Sequence, residues 1–415
     1  MSCACELADA GIEVSLLEAR KSLGGRAFSF RDKETGVIID NSQHVILGCC
    51  NNAIGFLTKI GSIGRVEFSD TINIIGAAEN KLSIKSSILP APLHLLPSIM
   101  RTKYLSSHEK LDLSKVLARM LFHQSGNHEN AGEYLTSLSC SSDLAKRMID
   151  PILVSALNEG TGVASARYAR MVLVKALLES RFGYRLGIPN VSLSELIEYP
   201  AREYLSQRGC EIHTSAKVEK LNIENKQIES ITLLGGSELK FDYYICALPP
   251  AQLRRIGYDT PAADGLIWRA IVSAHLFFEE TSPSFKHVCL ASEPFQWLFN
   301  KSYCSNGLGY IQAVASVVDN VANMSREKIV SLAMQAVRKA LPGMESTLPK
   351  HTVIVHEKRA TFSTGSDCDA FRPSSRTSLE NLFLAGDWTD TQWPATIESA
   401  VRSGYAAARA LNNII

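Results

Sequence analysis

The sequence predicts an α/β fold of the doubly wound, nucleotide-binding type, interleaved with a second, α+β domain. Three stretches predict it. The chain opens as helix, turn, strand and acid: Cys3 to Ala10 suits a helix, Gly11 is a fitting C-cap, and Glu13 to Leu17 alternates into a strand that ends at Glu18. Paired glycines follow between arginines, in Arg20-Lys-Ser-Leu-Gly24-Gly25-Arg26-Ala-Phe-Ser29. Near the other end, an apolar strand (Leu382 to Ala385) runs into Gly386-Asp387, a polar loop, and a long alanine-rich helix from near Pro394 to Leu411.

The opening elements are the second half of a βαβ unit. Glu18 stands where an acid binds the ribose hydroxyls of an adenosine. The first strand of that unit and its G-x-G-x-x-G turn do not precede the helix. Such a strand is central to its sheet. Four buried aliphatic side chains at ~1.5–3 kcal/mol each make it worth ~6–12 kcal/mol, against a typical total stability of ~5–15 kcal/mol. The expectation is that Met1 is an internal methionine or a misplaced start, and that the working protein has roughly fifteen further residues before it, a strand and a turn.

Gly24 and Gly25 admit backbone to a pyrophosphate, and Arg20 and Arg26 supply forked, charged donors. A plain glycine turn with solvated arginines is the alternative. The C-terminal segment is more specific. A glycine at a strand end lets backbone approach a ligand. Asp387 then accepts hydrogen bonds from hydroxyls, although a turn Asp would look similar. The helix opens with free N–H groups and the positive end of its dipole, which suits an anionic ring edge. A reduced flavin needs that environment at its pyrimidine side. Thr396 and Ile397 are the residues whose N–H groups would face it, and the implied cofactor is FAD.

The remaining elements follow in order. Ala27 to Asp40 reads as a hairpin around Asp32-Lys-Glu-Thr-Gly36, and Asn51 to Ile60 as a helix. From about Lys81 the composition changes. Leu82 to Leu105 is apolar, interrupted by Pro90, Pro92 and Pro97, with Lys85, His94, Arg101 and Lys103 interspersed. It suits a lid over an apolar cavity or an interfacial segment dipping into lipid. Helices are predicted at His108–Phe122, Ala131–Leu138, Ser142–Ala156, Ala166–Phe182 and Leu193–Gln207. Strands are predicted at Glu211–Thr214, Val218–Ile223 and Phe241–Ala247, with a Gly235-Gly236 hairpin between the last two. A second sheet is expected from Ile271–Phe278, Cys289–Leu290, Phe295–Asn300 and Tyr310–Val317, then a helix at Arg326–Ala340. Val353 to Arg359 leads back toward the last strand. The nucleotide-binding domain is thus assigned to 1–80, 190–250 and 356–415, and a substrate domain with a helical cap to 81–189 and 251–355.

Composition narrows the function. A net charge of +1 gives no electrostatic case for nucleic acid. The ten cysteines form no C-x-x-C pair and no histidine cluster has zinc spacing, so no metal is expected and the thiols read as reduced, in a cytosolic protein. No signal peptide is recognisable, and no apolar run reaches the ~18 residues a spanning helix needs.

Glu18 to Ser29 resembles the FAD-binding region of the amine oxidase and phytoene desaturase superfamily. Asp40-Asn-Ser-Gln-His44-Val-Ile-Leu-Gly48-Cys-Cys50 is narrower and resembles the squalene-associated FAD-dependent desaturases, the hydroxysqualene dehydroxylase family. Ala156-Leu157-Asn158, Ala164-Ser165-Ala166, Lys358-Arg-Ala-Thr-Phe362 and the GDWTDT-x-x-PATIE-x-AVRSG run match the same family. The resemblance covers essentially the whole chain from Cys3. Ser42 and Ser399 stand where the family has glycine.

The resemblance implies FAD as cofactor and a hydrophobic isoprenoid alcohol, hydroxysqualene, as substrate. Its hydroxyl would be removed and a hydride delivered to give squalene. It also implies backbone contact of Val218 with adenine, where a core valine would look the same. The electron donor is left open. Loss of hydroxide needs a proton donor, and His44, Asp390 and Glu398 are the titratable candidates. His44 alternatively bonds backbone, and Asp390 alternatively caps the last helix. His44, Asn158 and Trp393 are candidates for the substrate pocket; Asn158 alternatively caps a turn, and Trp393 alternatively is plain packing. A substrate made at membranes suggests peripheral attachment to the inner face through 82–105. Two rivals stay open: a carotenoid or phytoene-type desaturase or an amine oxidase, and a non-catalytic remnant unable to hold FAD.

Overall fold

The computed structural model describes residues 1–76, 81–124, 130–279, 285–291, 293–317 and 321–415. Its largest element is a seven-stranded sheet in the order His351–Phe362, Trp268–Phe278, Gly309–Ala315, Trp297–Asn300, His287–Leu290, Thr71–Ile75, Lys81–Lys85. The helix Arg326–Ala340, capped by the Ser325 hydroxyl as acceptor for Lys328 N–H, covers one face with Ile329, Ala333, Met334 and Val337. That face contributes Val272, Ala274, Leu276, Ile311 and Ala313, all at 0% exposure. Alternation along Trp268–Phe278 sends the intervening residues to the other face. There Phe277 and Tyr310 pack on Val37 and Ile39 of the hairpin Ser29–Arg31/Ile38–Asp40.

Two boundaries differ from the sequence reading. Thr71–Ile75 lies before residue 81 yet pairs within the large sheet, parallel to His287–Leu290 and antiparallel to Lys81–Lys85. His351–Phe362 does not simply lead back to the last strand. It is the edge strand of the same sheet, antiparallel to Trp268–Phe278.

The nucleotide-binding domain holds parallel pairs. Ser15–Glu18 pairs with Glu211–Thr214, and Leu382–Leu384 with Tyr244–Cys246. The two pairs are separate sheets among the described residues. On the side of Leu382–Leu384 away from its partner, Leu384 N–H donates to the Ser375 carbonyl at 2.8 Å. The opening helix, Ser2–Asp9, ends as read: Ala10 and Gly11 turn it, with Gly11 at φ +77°. It packs on the closing helix, Ile397–Asn412, where a Cβ on Gly404 would sit 2.1 Å from Ser2 Oγ. Only glycine allows the helices to approach so closely.

The helical cap carries Ser107–Phe122 and Ala131–Ser137, each begun by a capping box, Ser106 with Glu109 and Asn130 with Glu133. The predicted helix over 142–156 is interrupted. A π turn at Ala145–Ile149 separates Ser142–Leu144 from Asp150–Leu157. Ala166–Leu173 likewise passes into a π turn, Val174–Leu178, and the helix before Ser206 begins as one, Ser194–Glu198. Such wide turns re-aim side chains without ending the helix.

Candidate functional site

The sequence motifs converge where the opening strand ends. Glu18 closes its strand, and its Oε1 accepts from the Arg20 backbone N–H at 2.8 Å. The chain then turns at Gly24 and Gly25, with φ of +113° and +62°. A Cβ on Gly24 would lie 2.3 Å from the Ala27 carbonyl oxygen, whereas at Gly25 it would meet nothing within 4 Å. Gly24 is therefore required by the turn itself, and Gly25 leaves its backbone open to an incoming group. Arg20 donates to the Gly25 carbonyl and lies over the Phe28 ring.

Arg26 bridges the domains. Its Nη1 donates to the Ala360 carbonyl at 2.8 Å, its Nη2 pairs with Asp387, and its guanidinium lies 5.4 Å from the Trp268 ring centroid. Asp387 is buried. It follows Gly386, whose φ of +138° and close approach to the Trp388 indole (2.4 Å from a built Cβ) exclude any other residue. The Ser403 hydroxyl accepts from Gly386 N–H at 2.7 Å and ties the loop to the closing helix.

That loop is held by a residue the sequence reading did not single out. Arg372 is buried, and its Nη2 donates to the carbonyls of Asp387 (3.1 Å) and Thr389 (2.6 Å) and to Thr391 Oγ1 (3.0 Å). Its Nη1 donates to the Tyr168 hydroxyl, and its guanidinium lies over Phe362. The only sequence signal was an arginine before Pro373, a residue pair that usually marks an exposed turn.

The closing helix starts at Ile397, later than the expected Pro394, with Thr396 as N-cap accepting from Ser399 N–H at 3.2 Å. Thr396 and Ile397 N–H groups stand at the helix mouth, beyond reach of intrahelical carbonyls. Thr396, and not Asp390, is the cap. Asp390 is exposed, beside Gln392. Glu398 is buried, but it holds structure: its oxygens accept from Asn52 Nδ2 at 2.7 Å and from Ala53 N–H at 2.8 Å, capping the helix Asn51–Lys59. Ser399 is fully buried, its hydroxyl donating to the Asp387 carbonyl at 3.1 Å and meeting Thr391 Oγ1 at 2.6 Å. Trp393 is buried under Arg402, 5.2 Å from its ring centroid.

His44 Nδ1 lies 3.2 Å from the Ser42 carbonyl. A carbonyl only accepts, so Nδ1 carries the proton. Burial holds His44 below the ordinary imidazole range and keeps it neutral, leaving Nε2 as an acceptor. Ser42, buried, has its hydroxyl 3.0 Å from that of Ser273 in the large sheet. Asn158 is the left-handed C-cap of its helix (φ +49°). Its amide donates to the Ala270 carbonyl (3.1 Å) and Thr361 Oγ1 (3.0 Å) and accepts from Val317 N–H (2.8 Å). Val218 is half-buried at the start of its strand, opposite Leu233.

These residues fit a flavin dinucleotide. An open glycine backbone, arginine donors, an acid at a strand end and a helix mouth with free N–H groups match a pyrophosphate, ribose or ribityl hydroxyls, and an anionic ring edge. Glu18, Gly25, Arg20, Arg26, Asp387, Thr396 and Ile397 are the residues that would hold it.

Residues 1–412 match the model of the flavin containing amine oxidoreductase family, and the chain belongs to that family. It is accordingly a flavin-dependent oxidoreductase. Among its relatives, the hydroxysqualene dehydroxylases of Rhodopseudomonas palustris and Sinorhizobium fredii are 30% and 29% identical, each over 98% of this chain and 94% of the relative. The 15-cis-phytoene desaturase of Glycine max is 23% identical over 99% of this chain and 77% of its own length. In solved structures the fold is shared with putrescine oxidase (TM-score 0.74, 16% identity, 99% and 96% of the two chains). A putative protoporphyrinogen oxidase from Exiguobacterium shares it too (TM-score 0.69, 16% identity, 100% and 96%).

Proposed function

We propose that the protein removes the hydroxyl of a triterpene allylic alcohol, hydroxysqualene, and puts hydrogen in its place to give squalene. The observation that carries this reading is the 30% identity to a hydroxysqualene dehydroxylase over 98% of the chain. When bound, the flavin supplies the hydride. The protein's part is to orient the alcohol carbon, exclude water and hold a hydrogen-bond donor to the departing oxygen. Neutral His44, with its proton on Nδ1 and committed to Ser42, is poorly placed to donate. Glu398 is committed to the helix it caps.

Purified holoprotein given hydroxysqualene and a chemical reductant is expected to form squalene. Recovery of unchanged alcohol with a reducible flavin would overturn the reading. A desaturase is the second reading, favoured by the match to phytoene desaturase over 99% of the chain. It runs the hydride from substrate to flavin, so anaerobic bleaching of oxidised flavin by a polyene hydrocarbon would select it.

The segment 82–105 supports peripheral attachment to lipid. Ile88 is 90% exposed and Leu93 51%, with Met100 also exposed and Lys85, Arg101 and Lys103 beside them. His94, counted among the basic residues by sequence, is buried, and burial depresses its pKa. No helix among the described residues is long and apolar enough to cross a membrane. Neutralising the three exposed cations should release the protein from anionic liposomes, and unchanged retention would count against attachment there.

A further inference from the structure

Two polar side chains in the middle of the large sheet have no counterpart in the site described above. His275 and Gln312 are cross-strand partners, and both are at 0% exposure. Cross-strand partners share a face. Theirs is the face opposite the helix Arg326–Ala340, with Ser273 (the residue that reaches Ser42) two positions along and Phe299 as the other neighbour of Gln312. Nε2 of His275 and both amide atoms of Gln312 are without a hydrogen-bond partner among the described residues. Leaving buried polar atoms unpaired is costly, so such groups ordinarily have a partner.

The protonation pattern follows from the neighbours. Burial pushes His275 down to about 3 and raises Tyr310 well above the usual phenol range, so both are neutral. Tyr310 Oη lies 2.6 Å from His275 Nδ1, a contact in which either group can donate. Nε2 is then a donor or an acceptor according to the tautomer. Gln312 adds one amide donor and one carbonyl acceptor, so the pair offers both senses of hydrogen bond. An anion wants donors alone and a cation acceptors alone. An alcohol oxygen, with two lone pairs and one hydrogen, accepts and donates at once.

We propose that His275 and Gln312 form the binding site for a single hydroxyl group carried on an otherwise apolar substrate, and that they make the protein select the alcohol over the corresponding hydrocarbon. The inference rests on the reading of the substrate as a triterpene alcohol. A site built to hydrogen-bond a hydroxyl rejects an analogue that lacks it, because its own buried groups are then unpaired.

The test compares equilibrium binding of radiolabelled hydroxysqualene and squalene to the holoprotein in detergent, for wild type, Gln312→Leu, His275→Phe and the double variant. Wild type is expected to favour the alcohol by about tenfold or more, the worth of one to two hydrogen bonds. Each single variant should cut that ratio several-fold, and the double variant should bring it near one, with squalene binding held or tightened. The melting temperature of Gln312→Leu should stay level or rise, since two unpaired atoms leave the core; a structural amide would instead give a fall. An unchanged ratio in the double variant overturns the proposal and means the pair binds a water molecule only. If wild type converts the alcohol while the variants keep the selectivity, this site fails and the reaction stands. If wild type shows the selectivity, lost in the variants, but makes no squalene, the site stands and the reaction reading fails.

Discussion

The large sheet and the parallel pairs of the nucleotide-binding domain enclose their strands differently. Trp268–Phe278 is hydrogen-bonded on both edges, and its last seven residues are buried. Ser15–Glu18 has one strand partner among the described residues, Glu211–Thr214, and all four of its residues are only half-buried. The first arrangement is a rigid floor, held by an apolar layer against one helix. The second is a frame whose order depends on polar ties, Arg26 to Asp387 and Arg372 to the loop after it. The difference teaches where each kind of substitution will act: core truncation should unfold the floor, and loss of a buried cation should disorder the frame.

The largest effect is expected from Arg372→Ala. It strips two backbone carbonyls and a hydroxyl of their donor and should cost ~3–5 kcal/mol, with loss of flavin retention. Urea unfolding followed beside flavin absorbance checks it, and full retention of flavin would break the comparison. Leu276→Ala, in the floor at 0% exposure, should cost ~2–5 kcal/mol while leaving flavin affinity near that of wild type. Gly24→Ala should cost ~1–3 kcal/mol and weaken flavin binding, because φ is +113° and the new methyl meets the Ala27 carbonyl. Leu16→Ala, on the half-buried strand, should cost ~1–2 kcal/mol, about half of a full burial loss.

The pH-dependent effects also differ between the regions. Burial lowers His275 from 6.5 to about 3, so between those values the unfolded chain binds a proton that the folded one does not. Its stability contribution is complete above pH 6.5 and falls as pH drops through that window. His287, in the same sheet, shifts in the same direction for the same reason. On the opening helix, burial raises Asp9, but hydrogen bonds from Lys59, Tyr204 and Arg208 outweigh it and hold the carboxyl at about 2. That contribution is present above pH 3.8 and is lost only as pH falls toward 2. Denaturation midpoints between pH 7 and 4.5 should therefore fall in wild type and fall less in His275→Phe, with Asp9→Asn following wild type.

Much of this was legible in the sequence where local chemistry fixes local structure. The helix Arg326–Ala340 was read with the bounds it has, and Gly386-Asp387 after an apolar strand gave the loop. What could not be read is what depends on distant partners. The edge position of His351–Phe362 is a matter of register with Trp268–Phe278, which periodicity does not carry. The π turns shift hydrogen bonds by one residue, a change that no residue type marks in the sequence. Arg372 reads as a surface arginine until Tyr168 and Phe362 close over it. Glu398, weighed as a catalytic candidate, accepts from Ala53 N–H and caps another helix, a role set by a partner 345 residues away, while Asn158, read as a pocket residue or a turn cap, is the left-handed C-cap of its helix.

The visible absorption spectrum of the purified protein tests the central claim most directly. Flavin bands at about one equivalent, lost in Asp387→Ala, are the result this account predicts. A colourless protein that also rejects added FAD would contradict it.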